Sequence, residues 1–171
     1  MRHPTNSFRR SWARTLTVLV LSVWLGGLVF YAGVVIPVGS GVVGGHRVFG
    51  FITRVVTPWL NRIGVMVLLV LLPQVWAGRR AAARRARSWS WSIMAAAQAA
   101  LFVLHPWVDA LLEPVGRRIM DADAFYLRHR VYLLVTTLQW CSGVVLLWAV
   151  LVLWSDLDGR AHAAGSTGDL Q

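Results

Sequence analysis

The chain has 171 residues, of which 57% are hydrophobic and 14% charged, against roughly 25% charged in soluble domains. Its mean hydropathy of +0.58 is carried by long uncharged runs, which excludes an ordinary soluble surface and describes an integral membrane protein. A formal charge of +10 would point to nucleic acid on a soluble face, but every cationic side chain is arginine and most lie in two tails and one loop; that placement orients a membrane protein, and no nucleic-acid partner is expected.

One domain is expected at this length. It opens on a basic tail, residues 1–14, with Arg2, Arg9, Arg10 and Arg14. The first span covers about residues 15–37, and its most apolar part needs about 22 residues, or about 33 Å of helix. Arg9-Arg10-Ser11-Trp12 has the look of a twin-arginine signal. The apolar run that follows is longer than a signal peptide's and lacks a small-residue cleavage site, so it is expected to stay as a span.

A second span is expected at about residues 55–77, a third at 88–112 and a fourth at 131–154. Helices are the expectation for each, because lipid offers the backbone no partner outside its own helix unless strands close a barrel, and the alternating segments of a barrel are missing. The predicted fold is thus all-α, an integral membrane four-helix bundle occupying residues 15–155. The tail 156–171, rich in glycine and small polar residues, is expected to be disordered.

Short basic loops orient such bundles. One side carries Arg2, Arg9, Arg10, Arg14, Arg79, Arg80, Arg84, Arg85, Arg87 and Arg160; the other carries Arg47, Arg54, Arg117, Arg118, Arg128 and Arg130. That excess places both termini in the cytoplasm of a bacterium, the protein lying in the inner membrane. Tryptophans prefer the membrane interfaces. Trp12, Trp76, Trp89, Trp91 and Trp154 fall at the expected inner ends, and Trp59 and Trp107 at the outer ends.

Polar side chains inside a membrane each require an account. On span two, Thr57, Asn61 and Gly64 share a helical face, with Arg62 beside it. On span three, Gln98, His105, Asp109 and Glu113 form a stripe; on span four, His129, Tyr132, Thr136, Gln139 and Gly143 form another. These stripes converge toward the outer half, and the expected pocket is lined by Asn61, Arg62, His105, Asp109, His129, Tyr132, Thr136 and Gln139.

Three uses of that pocket differ in class. As a non-enzymatic binding or accessory component, the protein would present an outward-facing polar pocket, with Asp109 offset by Arg62 or an outer-loop arginine. As a redox protein, it would hold haem or a transition metal on His105 and His129, an imidazole being oriented by Asp109 or Asn61. As a small-solute or proton transporter it would use Asp109, Glu113 and the histidines as titratable stations, although Gln98 and Gln139 are the main polar residues below them.

Weaker signals complete the reading. Arg79, Arg80, Arg84, Arg85 and Arg87 would suit anionic lipid headgroups. Ser92, Ala96 and Ala100 make a small-residue stripe, expected to pack within the chain, with a homodimer or another membrane-protein partner as the alternative. The single cysteine, Cys141, is expected to pack in the last span. No common catalytic motif is present.

Two stretches carry a resemblance. Trp24-Leu25-Gly26-Gly27-Leu28-Val29-Phe30-Tyr31 leads to Pro37 and then Gly45-His46-Arg47-Val48-Phe49-Gly50, and Phe125-Tyr126-Leu127-Arg128-His129 opens the last span. Together they resemble the small four-helix bacterial membrane proteins similar to the eukaryotic transmembrane protein 205. That group shares a W-x-G-G start, a proline ending span one, and a phenylalanine four residues before a histidine at span four. The resemblance implies the same four-span order across Thr15 to Trp154 and brings no established reaction. After Pro37 the chain departs from it, with Val38-Gly39-Ser40-Gly41 where the group places a phenylalanine.

Overall fold

The computed structural model describes residues 4–76, 81–113 and 118–166. The first membrane pass is α1 (Pro4–Phe30), a π-helical turn (Tyr31–Val35) and α2 (Ile36–Val42). It is followed by α3 (His46–Trp76), α4 (Ala81–Asp109), a two-stranded hairpin of β1 (Leu112–Glu113) and β2 (Arg118–Ile119), and α5 (Ala122–Ser166). Four stretches are long and apolar enough to cross a membrane: Ser11–Val42, Val48–Val75, Arg84–Asp109 and Ala122–Gly159. The chain is an all-α four-helix bundle of a multi-pass membrane protein.

The helices outrun the apolar segments that announce them. In particular, the tail expected to be disordered from Asp156 is helical as far as Ser166. Its first turns are anchored: the Arg14 guanidinium donates to both carboxylate oxygens of Asp158, at 2.7 and 2.9 Å, and lies over the Trp154 ring. This contact also brings the two terminal arms to the same end of the bundle.

The core is a layer of large apolar side chains in the half of the bundle nearer the termini, with Leu21, Trp24 and Leu25 from α1, Leu68 and Leu71 from α3, Met94 from α4, and Leu146 and Val150 from α5. In lipid, apolar burial gives little drive for helix association, so close approach and interhelical hydrogen bonds matter more. Both are present. A Cβ on Gly64 would stand 2.1 Å from Gln98 Oε1, and one on Gly143 would stand 3.0 Å from Leu25. Gln139 Nε2 donates to Gln98 Oε1 at 2.9 Å, Trp91 Nε1 to Leu68 O at 3.0 Å, Trp140 Nε1 to Leu25 O at 3.2 Å, and Gln74 Nε2 to Thr17 Oγ1 at 3.1 Å.

Several expectations are corrected by this packing. Trp91 faces the bundle, where its indole finds a backbone carbonyl, and does not serve an interfacial belt; Trp12, Trp59, Trp89 and Trp107 are exposed. Ser92 and Ala96 lie on the outer surface of α4 while Ala100 is half-buried, so most of the small-residue stripe faces outward, and Cys141 is exposed on the outer surface of α5. Arg87, grouped by sequence with the headgroup arginines, is fully buried and donates its Nε to Gln74 O at 3.0 Å. Arg84 and Arg85 are exposed, and Arg79 and Arg80 lie outside the described residues.

Candidate functional site

At the end of the bundle away from the termini the helices spread around a cavity of about 320 Å³. Its wall begins with Tyr31, the first residue of the π-helical turn, and Ile36, the residue just after it. Pro37 explains that turn: a proline has no N–H to give and its ring crowds the carbonyl four residues earlier. The chain widens instead, and the Ile36 N–H reaches back five residues to Tyr31 O. Such bulges are frequent at functional sites, and this one places the Tyr31 ring at the cavity.

From α3 come Phe49, Gly50, Thr53, Arg54 and Thr57; from α4 come His105, Val108 and Asp109; from α5 come Phe125, Tyr126, His129, Tyr132 and Leu133. The hairpin closes the end, pairing Leu112 with Ile119 and Glu113 with Arg118 in antiparallel register, so that Leu112 and Ile119 face the cavity. Asp121 caps α5 by accepting the Ala124 N–H at 2.9 Å. Arg128 donates to Trp107 O at 2.7 Å and stacks on the Trp107 ring, which ties the start of α5 to the end of α4.

Polar groups on the wall fall into two sets. Some have partners within the protein. Arg54 Nε lies 2.5 Å from Asp109 Oδ1 as an ion pair that is not aligned as a hydrogen bond, both side chains being largely shielded. Thr53 and Thr57 donate to backbone carbonyls within α3, at 2.9 and 2.7 Å, and Tyr132 Oη donates to Asn61 Oδ1 at 3.2 Å. The others lack such partners. Tyr31 Oη is buried, and neither it nor His105 or His129 makes a hydrogen bond to the described residues. The His129 ring lies parallel to that of Phe125, 7° between planes and 5.8 Å between centroids.

The sequence-predicted site residues divide accordingly. His105, Asp109, His129 and Tyr132 are brought together on the wall. Asn61 is buried behind it and reaches it through the Tyr132 hydroxyl. Arg62 does not belong: it points outward over the Trp59 ring, 4.8 Å from its centroid, and Arg54 is the partner of Asp109. Thr136 and Gln139 are also outside the cavity. Thr136 donates to Tyr132 O within α5, and Gln139 is buried deeper on Gln98.

Tyr31, Arg54 and the aromatic set Phe49, Phe125 and Tyr126 are among the wall residues that sequence reasoning did not assign to the pocket. Phe125 and Tyr126 lie in the stretch noted at the opening of the last span, where sequence reasoning assigned them no pocket role. The ion pair of Arg54 was foreshadowed only as an outer-loop arginine offsetting Asp109. Among the described residues, no group of three or more His, Cys, Asp or Glu side chains gathers where a metal ion could be held.

Chemically, the cavity combines a neutralised charge pair, two imidazoles and three phenols with apolar and aromatic walls. Such a mixture is typical of small-molecule pockets, in which a few polar groups orient a ligand held mainly by apolar contact. The chain matches no protein-family model, no curated protein and no solved structure, so the chemistry of this cavity is read from its own side chains.

Proposed function

We propose that this multi-pass membrane protein is a non-enzymatic binding or accessory component of a bacterial inner membrane, with both termini cytoplasmic and the cavity facing outward. The single observation that carries the binding reading is the cavity of about 320 Å³ built by every membrane pass and closed by the hairpin. The arginine excess at the terminal end supports the orientation, and a resemblance to the transmembrane protein 205 group would imply the same four-span plan.

Val108 lines the cavity without sharing in its hydrogen bonds, so Val108→Trp fills the space while leaving the polar groups in place. In native mass spectrometry of protein released from its own membranes, the wild-type chain is expected to carry a bound small molecule that Val108→Trp loses. Equal occupancy in a variant that melts at the wild-type temperature would overturn the proposal.

A second reading, a haem or transition-metal site, is favoured by one observation: His105 and His129 line the same cavity. It expects about one metal atom per purified chain by elemental analysis, lost in His105→Ala and in His129→Ala. Metal that survives both substitutions would remove it.

A further inference from the structure

We infer that the cavity's ligand is a neutral, flat ring bearing carbonyl oxygens and an apolar tail: a quinone-type lipid entering from the bilayer. The inference rests on the binding reading above and names the class of ligand.

Charge comes first. Asp109 is the carboxylate on the wall and Arg54 the guanidinium, and they are already paired. A charged ligand would have to break that pair or enter without a counter-ion, and an uncompensated charge in such surroundings is costly. A neutral ligand leaves the pair intact.

Hydrogen bonding comes next. Tyr31 Oη is buried with no partner among the described residues, and a buried hydroxyl left without a hydrogen bond is costly. A neutral imidazole keeps one N–H, and both His105 and His129 stand on the wall with theirs uncommitted to the described residues. Carbonyl oxygens would satisfy such donors; a plain hydrocarbon would not.

Shape selects the rest. Phe125 and His129 present parallel rings, and offset stacking suits a planar guest. About 320 Å³ is at the small end of ligand pockets, which run from about 300 to 1,000 Å³. It admits one substituted ring, and the tail of such a lipid would have to extend beyond the cavity.

The test uses the full chain in lipid nanodiscs and three decyl-tailed probes: decylubiquinone, decylbenzene and decanoate. Decylubiquinone is expected to bind saturably, one per chain, and more tightly than the other two. Tyr31→Phe and His129→Phe, which each keep an aromatic ring and remove a donor, are each expected to weaken it about tenfold, and Val108→Trp to abolish it.

Decylbenzene binding equally well, or no effect of either donor removal, would overturn the carbonyl assignment; decanoate binding best would overturn neutrality. In both cases, sensitivity to Val108→Trp would show the binding reading standing without the quinone class. If no probe binds, the quinone class is overturned, and the occupancy of the chain released from its own membranes then decides the binding reading. If probes bind but ignore Val108→Trp, both readings fall.

Discussion

A single methyl group decides how closely α3 and α4 approach. The Cβ that alanine would add at Gly64 falls 2.1 Å from Gln98 Oε1, whereas one at Gly26 meets nothing within 4 Å. Gln98 cannot simply swing aside, because it accepts the hydrogen bond from Gln139 at 2.9 Å. Gly64→Ala is therefore expected to lower stability by about 1–3 kcal/mol, the usual cost of overpacking, and Gly26→Ala by much less. Reversible denaturant unfolding of the two variants in detergent checks this; equal stability would mean that the helices part without cost.

Residue-scale legibility follows from the same geometry. Asn61, His105, Asp109, His129 and Tyr132 stood out in the sequence because polar groups within apolar runs need partners. Arg62 was misassigned because neighbours in a chain are about 100° apart around a helix: the turn that buries Asn61 sends Arg62 outward to Trp59. Thr136 and Gln139 do share the stripe of Tyr132, but a stripe runs the whole helix and a cavity occupies one depth. Gln139 lies about 10 Å further along α5. Tyr31 was hidden among apolar neighbours, and its place at the cavity depends on the π-helical turn before Pro37.

At the scale of elements, each pass is tied to another by a small number of polar contacts. Trp140 joins α5 to α1, Gln74 joins α3 to α1, Gln139 joins α5 to α4, and Trp91 and Arg87 join α4 to α3. The Arg54–Asp109 pair supplies a further α3–α4 tie, at the cavity end. Since its side chains are 30% and 23% exposed, removing one partner is expected to cost about 1–3 kcal/mol, between the values for exposed and buried pairs. Arg54→Met and Asp109→Leu should each destabilise the protein, and the double variant should recover most of the loss, because no charge is then left alone. A double-mutant cycle from detergent unfolding measures this; strictly additive losses would mean that the two groups do not depend on each other.

The element plan was legible where hydrophobic length controls it. Four apolar runs produced four passes, since the backbone in lipid must satisfy itself. Helix ends were less legible, because outside the hydrocarbon hydropathy no longer reports on helix: α5 continues through Asp158, held there by Arg14. The hairpin was not foreseen. Its strands are two residues long, too short to imprint an alternating pattern on the sequence.

The whole molecule has two unlike ends. One gathers both terminal arms, the Arg14–Asp158 pair and the exposed Arg84 and Arg85; the other carries the cavity and the hairpin. The arginine imbalance between the two is the ground on which we propose a cytoplasmic terminal end, because arginine-rich short segments resist transfer across the membrane. Orientation decides which compartment the cavity can sample, so it bears directly on function. In a Cys141→Ser background, Met120→Cys sits exposed beside the hairpin and Arg85→Cys exposed at the opposite end of α4. With a membrane-impermeant maleimide on spheroplasts, Met120→Cys is expected to react at once and Arg85→Cys only after lysis. Reaction of Arg85→Cys alone would invert the protein, turn the cavity to the cytoplasm, and mean that the arginine count had misassigned the ends.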